Sequence, residues 1–244
     1  MHSWEDAFCE RLAAGPRYVI RYDHRDTGRS VTYEPGKPEY TGDDLVDDAV
    51  GILDALRLES AHVVGISMGG AIAQIIALER PEKVASLTLI STSPAVAGER
   101  ELPPPSEELR ASFDAPPPDW SDHAAVVDFV VESARPYAAR SRPFDEEPWR
   151  ELARRDLARS IDIAASTNHY LVDGADSNKG LDEIRAPTLV LHGTEDPLFP
   201  FAHGEALARE VPGAQLVALE RTGHELPEAA WDVAVPAILR HTSG

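Results

Sequence analysis

The chain has 244 residues, 43% of them hydrophobic, which is enough to build one large α/β core with a modest insertion. Its net charge of −19 excludes the basic face that a nucleic-acid binder needs. The single cysteine, Cys9, excludes an internal disulfide, and no apolar run approaches the roughly 18 residues of a membrane span. The opening Met1-His-Ser-Trp-Glu-Asp lacks a signal segment, so a cytoplasmic protein is expected.

Apolar strand-like runs alternate with helical patterns along the chain, the signature of a parallel sheet covered on both faces. Arg17 to Asp23 is expected as the first strand, with "HRDTGRS" turning after it. A helix is predicted over Leu45–Leu56, behind Asp43 and Asp44, whose charges suit a helix N-terminus. Strand 61–66, helix 68–80 and strand 84–90 follow. From Pro94 the proline-rich "ELPPPSEELR" and "DAPPPDW" break the pattern, and helices are predicted near 122–135 and 147–166. The strands resume at 186–193 and 214–220, with helices near 201–211 and 226–240. The expected organisation is therefore an N-terminal part of the core (1–93), a helical cap (94–180) and a C-terminal part of the core (181–244).

The stretch "HVVGISMGG" places Ser67 between a buried strand and an apolar helix. A bare Gly-x-Ser-x-Gly is weak, but a strand–turn–helix around it is where a nucleophilic serine can be held on a sharp elbow. Gly65 and Gly69 are expected to allow close approach of strand and helix, and the Met68 N–H at the helix start would face a developing oxyanion. The bland alternative is a tight turn with an idle serine.

A serine hydroxyl needs a base, and the base an orienting acid. Of nine histidines, His2 and His241 are expected at frayed ends, His123 and His203 as ordinary helical or surface residues, and His62 and His192 as structural. His169 could line a pocket. His224, in "RTGHELP", falls just past the last strand, at the sheet edge where open α/β folds place their sites, with Gly223 freeing the turn. Asp196, in "LHGTEDPLFP", is the candidate acid; Glu195 competes with it, and a helix-capping role is its bland alternative. "HELPE" lacks the second histidine of a zinc motif, and neither a metal set nor a phosphate-binding loop is expected.

Taken together, "RYDHRDTGRS", "HVVGISMGGAIAQ", "PTLVLHGTEDPL" and "TGHELP" resemble the α/β-hydrolase family, in family order and over nearly the whole chain. Within it they are most similar to the aclacinomycin methylesterase-like serine hydrolases, on the strength of Asp26 after Arg25. The resemblance implies a three-layer fold with a helical cap, and Ser67, His224 and Asp196 as nucleophile, base and acid. The implied activity is cofactor-free cleavage of a carboxylic ester, such as a methyl ester of a small apolar molecule, through an acyl-enzyme. Lactone, C–C bond and peracid chemistry use the same triad, and a non-catalytic ligand receptor is the reading from another class. Arg25, Asp26 and Ser30 are expected to tie their loop together. Trp120, Phe129, Trp149 and Tyr170 are candidate pocket walls, although such aromatics are more often core. The expected partner is a small-molecule ester, with neither nucleic acid nor membrane, and a homodimer left open. The family's opening strands and second oxyanion donor have no counterpart here, so a truncated sequence is expected rather than direct pairing of 17–23 with 61–66.

Overall fold

A computed structural model describes residues 4–15 and 17–243. Four parallel strands form its sheet, in the order β1 (Ala61–Ile66), β2 (Val84–Ile90), β3 (Thr188–Gly193) and β4 (Gln215–Leu219). β3 is buried at every position, as a central parallel strand between two helical layers must be.

Side-chain alternation divides the core into two sides. Leu87 and Leu89 of β2 join a cluster with helices α2 (Gly42–Ala55), α3 (Met68–Glu79) and α7 (Ala202–Glu210). Ile90 and Leu191 face the opposite cluster, built on α1 (Asp6–Ala13) and α8 (Glu228–His241). This is the three-layer arrangement expected from the sequence. At eight residues, α1 is too short to persist alone and has no side-chain cap. It is held by Phe8 and Leu12, packed under Trp231, at about 1.5–3 kcal/mol for each fully buried side chain. The exposed pairs of Arg11 with Glu228 and Asp232 contribute less, about 0–1 kcal/mol each. α2 carries its own start signal: Thr41 accepts from the Asp44 N–H while the Asp44 carboxylate accepts from the Thr41 N–H.

Between β2 and β3 the chain forms α4 (Glu107–Ser112), α5 (His123–Ala134) and α6 (Glu147–Arg159), with short 3₁₀ turns. Ser106 and Asp122 cap α4 and α5. No helix of the described residues is long and apolar enough to cross a membrane.

The segment Arg17–Asp23 corrects one expectation, because it belongs to no ladder. Its alternation survives, with Val19 against the Trp231 cluster and Tyr18 and Ile20 outward. A strand also needs a neighbour in register, which a single run of sequence does not reveal. The direct pairing of this segment with β1 is not formed; among the described residues β1 pairs only with β2.

The turn that follows is structural, as expected. Arg25 makes a bidentate pair with Asp48, and the buried Asp26, at φ 63°, accepts from the Tyr33 N–H and Asn168 Nδ2. His169 donates to the Arg25 carbonyl, the Ile161 N–H donates to the Gly28 carbonyl, and Arg159 of α6 grips Asp23 at 2.8 and 2.6 Å, so with Asn168 four residues of the helical insertion tie it to this turn. Arg159 hydrogen bonding, aided by the Arg29 N–H, holds the Asp23 carboxyl down at about 2. Because the folded value lies below the unfolded one, the bond stabilises fully above about pH 4 and is lost as pH falls through about 2. Both side chains are partly exposed, so Arg159→Gln is expected to cost about 1 kcal/mol at pH 7, with the gap between the two melting curves narrowing as pH drops from about 5 toward 2. A gap independent of pH would assign the loss to packing.

Candidate active site

The strand register brings three loops to one edge of the sheet. Ile66 pairs with Ile90, Ile90 with Leu191, and Gly193 with Leu219, so the chain leaves β1, β3 and β4 at the same edge, with the end of β2 between the first two. Ser67 immediately follows β1, Asp196 lies three residues past β3, and His224 lies five residues past β4.

Ser67 sits at φ 51° and ψ −120°, a conformation that costs an ordinary residue about 1–3 kcal/mol. Its backbone is held on both sides: its N–H donates to the Ile90 carbonyl, and its carbonyl accepts from the Gly70 and Ala71 N–H groups and from Thr92 Oγ1. Gly65 is required by contact, since a Cβ there would lie 2.1 Å from the Gly69 carbonyl oxygen. Gly69 does not play the part expected of it, because a Cβ there would meet open space. The close contact belongs to Gly70, where a Cβ would strike the Thr92 side chain at 2.6 Å. Met68 opens α3, and a helix leaves its first N–H groups without intrahelical acceptors.

His224 Nε2 lies 2.9 Å from Ser67 Oγ, and its Nδ1 lies 2.9 Å from Asp196 Oδ2. The carboxylate admits only a donor at Nδ1, so Nε2 is the free base facing the hydroxyl. The Asp196 side chain is fully buried, and its other oxygen accepts from the Leu198 and Phe199 N–H groups, both at 2.9 Å. Its helix-capping alternative is not realised: these N–H groups belong to the bend after β3, and α7, which starts at Ala202, receives no side-chain cap. Glu195 points elsewhere, to the Ser141 N–H.

His192 donates from Nε2 to the Phe199 carbonyl, and burial drives its pKa down, so it stays neutral beside Asp196. His62 bonds Ser86 as a structural histidine should. Two others differ from expectation. His203 is buried, within hydrogen-bond distance of Ser93 Oγ and bonded to the Pro103 carbonyl, and His241 donates to the Leu87 carbonyl instead of fraying. His123 is exposed as expected, and His2 lies outside the described residues.

Four aromatics of the insertion were candidate walls, and no ring contact joins them to the triad. Trp120 packs on Phe129, Trp149 stacks on Phe144, and Tyr170 is 86% exposed. Tyr137 and Phe199 touch the imidazole instead, with ring centres 5.7 and 5.5 Å from that of His224. Phe199, three residues past Asp196, could have been suspected from the loop sequence. Tyr137 gave no signal, since its place depends on the path of the insertion. Gly223 is not at positive φ; a Cβ there would lie 2.3 Å from the Tyr137 carbonyl oxygen, so the position is small to admit that segment.

A hydroxyl, an imidazole and a buried carboxylate joined in this order, on an elbow at the edge of a parallel sheet, define the serine-hydrolase class of site. The chain belongs to the alpha/beta hydrolase fold family, whose family model matches residues 2–228. Rhodomycin D methylesterase DauP of Streptomyces sp. (strain C5) is 35% identical over 262 aligned residues, which cover 98% of this chain and 86% of that protein. Rhodomycin D methylesterase DnrP of Streptomyces peucetius is 33% identical with the same coverage. The crystal structure of the enol-lactonase from Burkholderia xenovorans LB400 shares the fold with a TM-score of 0.71, covering 100% of this chain and 89% of its own, at 21% identity.

Proposed function

We propose that this protein is a carboxylic-ester hydrolase that cleaves a methyl ester of a small, largely apolar molecule through an acyl-enzyme. The observation that carries the reading is the unbroken Ser67–His224–Asp196 chain, with both links at 2.9 Å. As Ser67 Oγ bonds to the ester carbonyl carbon, its proton passes to His224 Nε2, and Asp196 stabilises the imidazolium. The Met68 N–H donates to the oxyanion. Collapse breaks the C–O bond, and His224 returns the proton to the departing methoxide oxygen, which leaves as methanol. Water then repeats the sequence, yielding the free acid and restoring Ser67.

The methyl-ester preference draws on the two Streptomyces methylesterases, similar over nearly this whole chain. The helical insertion over 94–180 is the lid in this reading. A homodimer and a cytoplasmic location are consistent with it and do not enter the chemistry.

The test is intact mass after exposure to a fluorophosphonate, followed by a panel of methyl esters. One adduct mapping to Ser67, absent from Ser67→Ala, is expected. A folded protein that takes up no adduct would sink the reading.

A further inference from the structure

Neither His224 nor Asp196 stands on a helix or strand; each lies on a short loop. What braces those loops is a six-residue stretch of the insertion, Tyr137 to Arg142, which touches the immediate neighbours of both residues. The Tyr137 carbonyl accepts from the His224 N–H at 2.8 Å. The Glu225 carboxylate, beside His224 in sequence, accepts from the Ala139 N–H at 3.4 Å and pairs with the Arg142 guanidinium. Arg142 Nε also donates to the Arg221 carbonyl at 2.7 Å, and Arg221 donates back to the Ser141 carbonyl at 2.6 Å. On the other loop, Glu195, beside Asp196, accepts from the Ser141 N–H at 2.9 Å. The pair of Arg142 and Glu225 is largely sheltered, with side chains 23% and 11% exposed. Gly223 leaves the space this docking needs, since a Cβ there would lie 2.4 Å from Glu225 Oε2 and 2.6 Å from the Ala139 nitrogen.

We infer that the 137–142 strap is the positioning element of the His224–Asp196 pair, with Arg142 acting through Glu225 as its latch. The geometry of the base then depends on the insertion being docked, so binding in the lid and readiness of the triad are coupled. Tyr137 packs its ring on the imidazole, whereas the Arg142 guanidinium bonds the Arg221 carbonyl and Glu225 and so acts on the pair at one remove. Loss of the latch leaves Glu225 sheltered without its cation and frees the loop to drift, and a displacement of about 1 Å at a base costs on the order of 10²-fold in rate. The inference rests on the proposed hydrolase reading, and two readouts separate the fates of the two.

The experiment compares the wild type with Arg142→Gln, Glu225→Gln and Arg142→Lys. Its first readout is the rate of fluorophosphonate attachment to Ser67, with kcat and KM on a short methyl ester. Its second, independent of catalysis, is the downfield proton resonance of the His224 Nδ1–H shared with Asp196. Both Gln variants are expected to label and turn over about 10- to 100-fold more slowly, with KM changed less than about threefold. Their downfield resonance broadens or disappears in folded protein. The lysine variant keeps a cation for Glu225, gives up the Arg221 carbonyl, and recovers part of the rate. It carries the same comparison should Arg142→Gln fail to fold. Folded variants with wild-type labelling rates and an unchanged resonance would overturn the inference, even with lowered melting temperatures. An unlabelled wild type whose resonance still responds to Arg142 would retain the strap and dismiss the hydrolase.

Discussion

Replacing Ser67 by alanine is expected to lower kcat on a methyl ester by about 10⁴- to 10⁶-fold, equivalent to about 5–8 kcal/mol of lost transition-state stabilisation. Among the described residues, Ser67 Oγ is the hydroxyl hydrogen-bonded to His224 Nε2, at 2.9 Å, so the proton path starts there. Residual catalysis would come from substrate binding and from the Met68 N–H alone. Stability should move differently. The elbow at φ 51° and ψ −120° strains alanine as it strains serine, whereas glycine occupies such conformations freely. Ser67→Ala should therefore melt close to the wild type, and Ser67→Gly should melt higher with the same loss of turnover. Ester hydrolysis assays and thermal melts on the two variants check both halves. Turnover within about tenfold of the wild type in either variant would remove Ser67 from the mechanism.

The site was legible where function lies in short stretches at strand ends. "GISMG", "TEDP" and "TGHE" each carry one group and its turn, and parallel order alone brings them to a single edge. Strands 61–66 and 84–90 were read to the residue because apolar runs between turn residues are local signals. What was missed depends on partners distant in sequence. Arg17–Asp23 has the alternation of a strand, but pairing is settled by a neighbour. Gly69 looked essential by motif, yet the contact falls on Gly70 because Thr92 descends from β2 onto it. His203 and His241 read as peripheral because their acceptors, the Pro103 and Leu87 carbonyls, lie about a hundred residues away or more. The strap was invisible for the same reason: Tyr137 and Arg142 meet the His224 loop only through the fold of the insertion.

Asp196→Asn is expected to reduce kcat by about 10⁴-fold while leaving the protein folded, and the reason lies in the second oxygen. Oδ1 accepts from the Leu198 and Phe199 N–H groups, so an asparagine there keeps its carbonyl oxygen toward the backbone. Its NH₂ must then replace Oδ2 and face His224 Nδ1. A donor at that point selects the tautomer with hydrogen on Nε2, which leaves Ser67 without a base. His192 offers no relief, because its Nε2–H, already given to the Phe199 carbonyl, lies 3.7 Å from the same Oδ2 position. Preserved backbone bonds predict a melting temperature near the wild type for Asp196→Asn and a lower one for Asp196→Ala, which forfeits both. Glu195→Gln supplies the contrast: it weakens the Ser141 contact of the strap and should cost about tenfold or less. Kinetics and melts of the three variants decide the assignment. Equal losses from Glu195→Gln and Asp196→Asn would mean that loop geometry, and not the carboxylate on His224, is what catalysis requires.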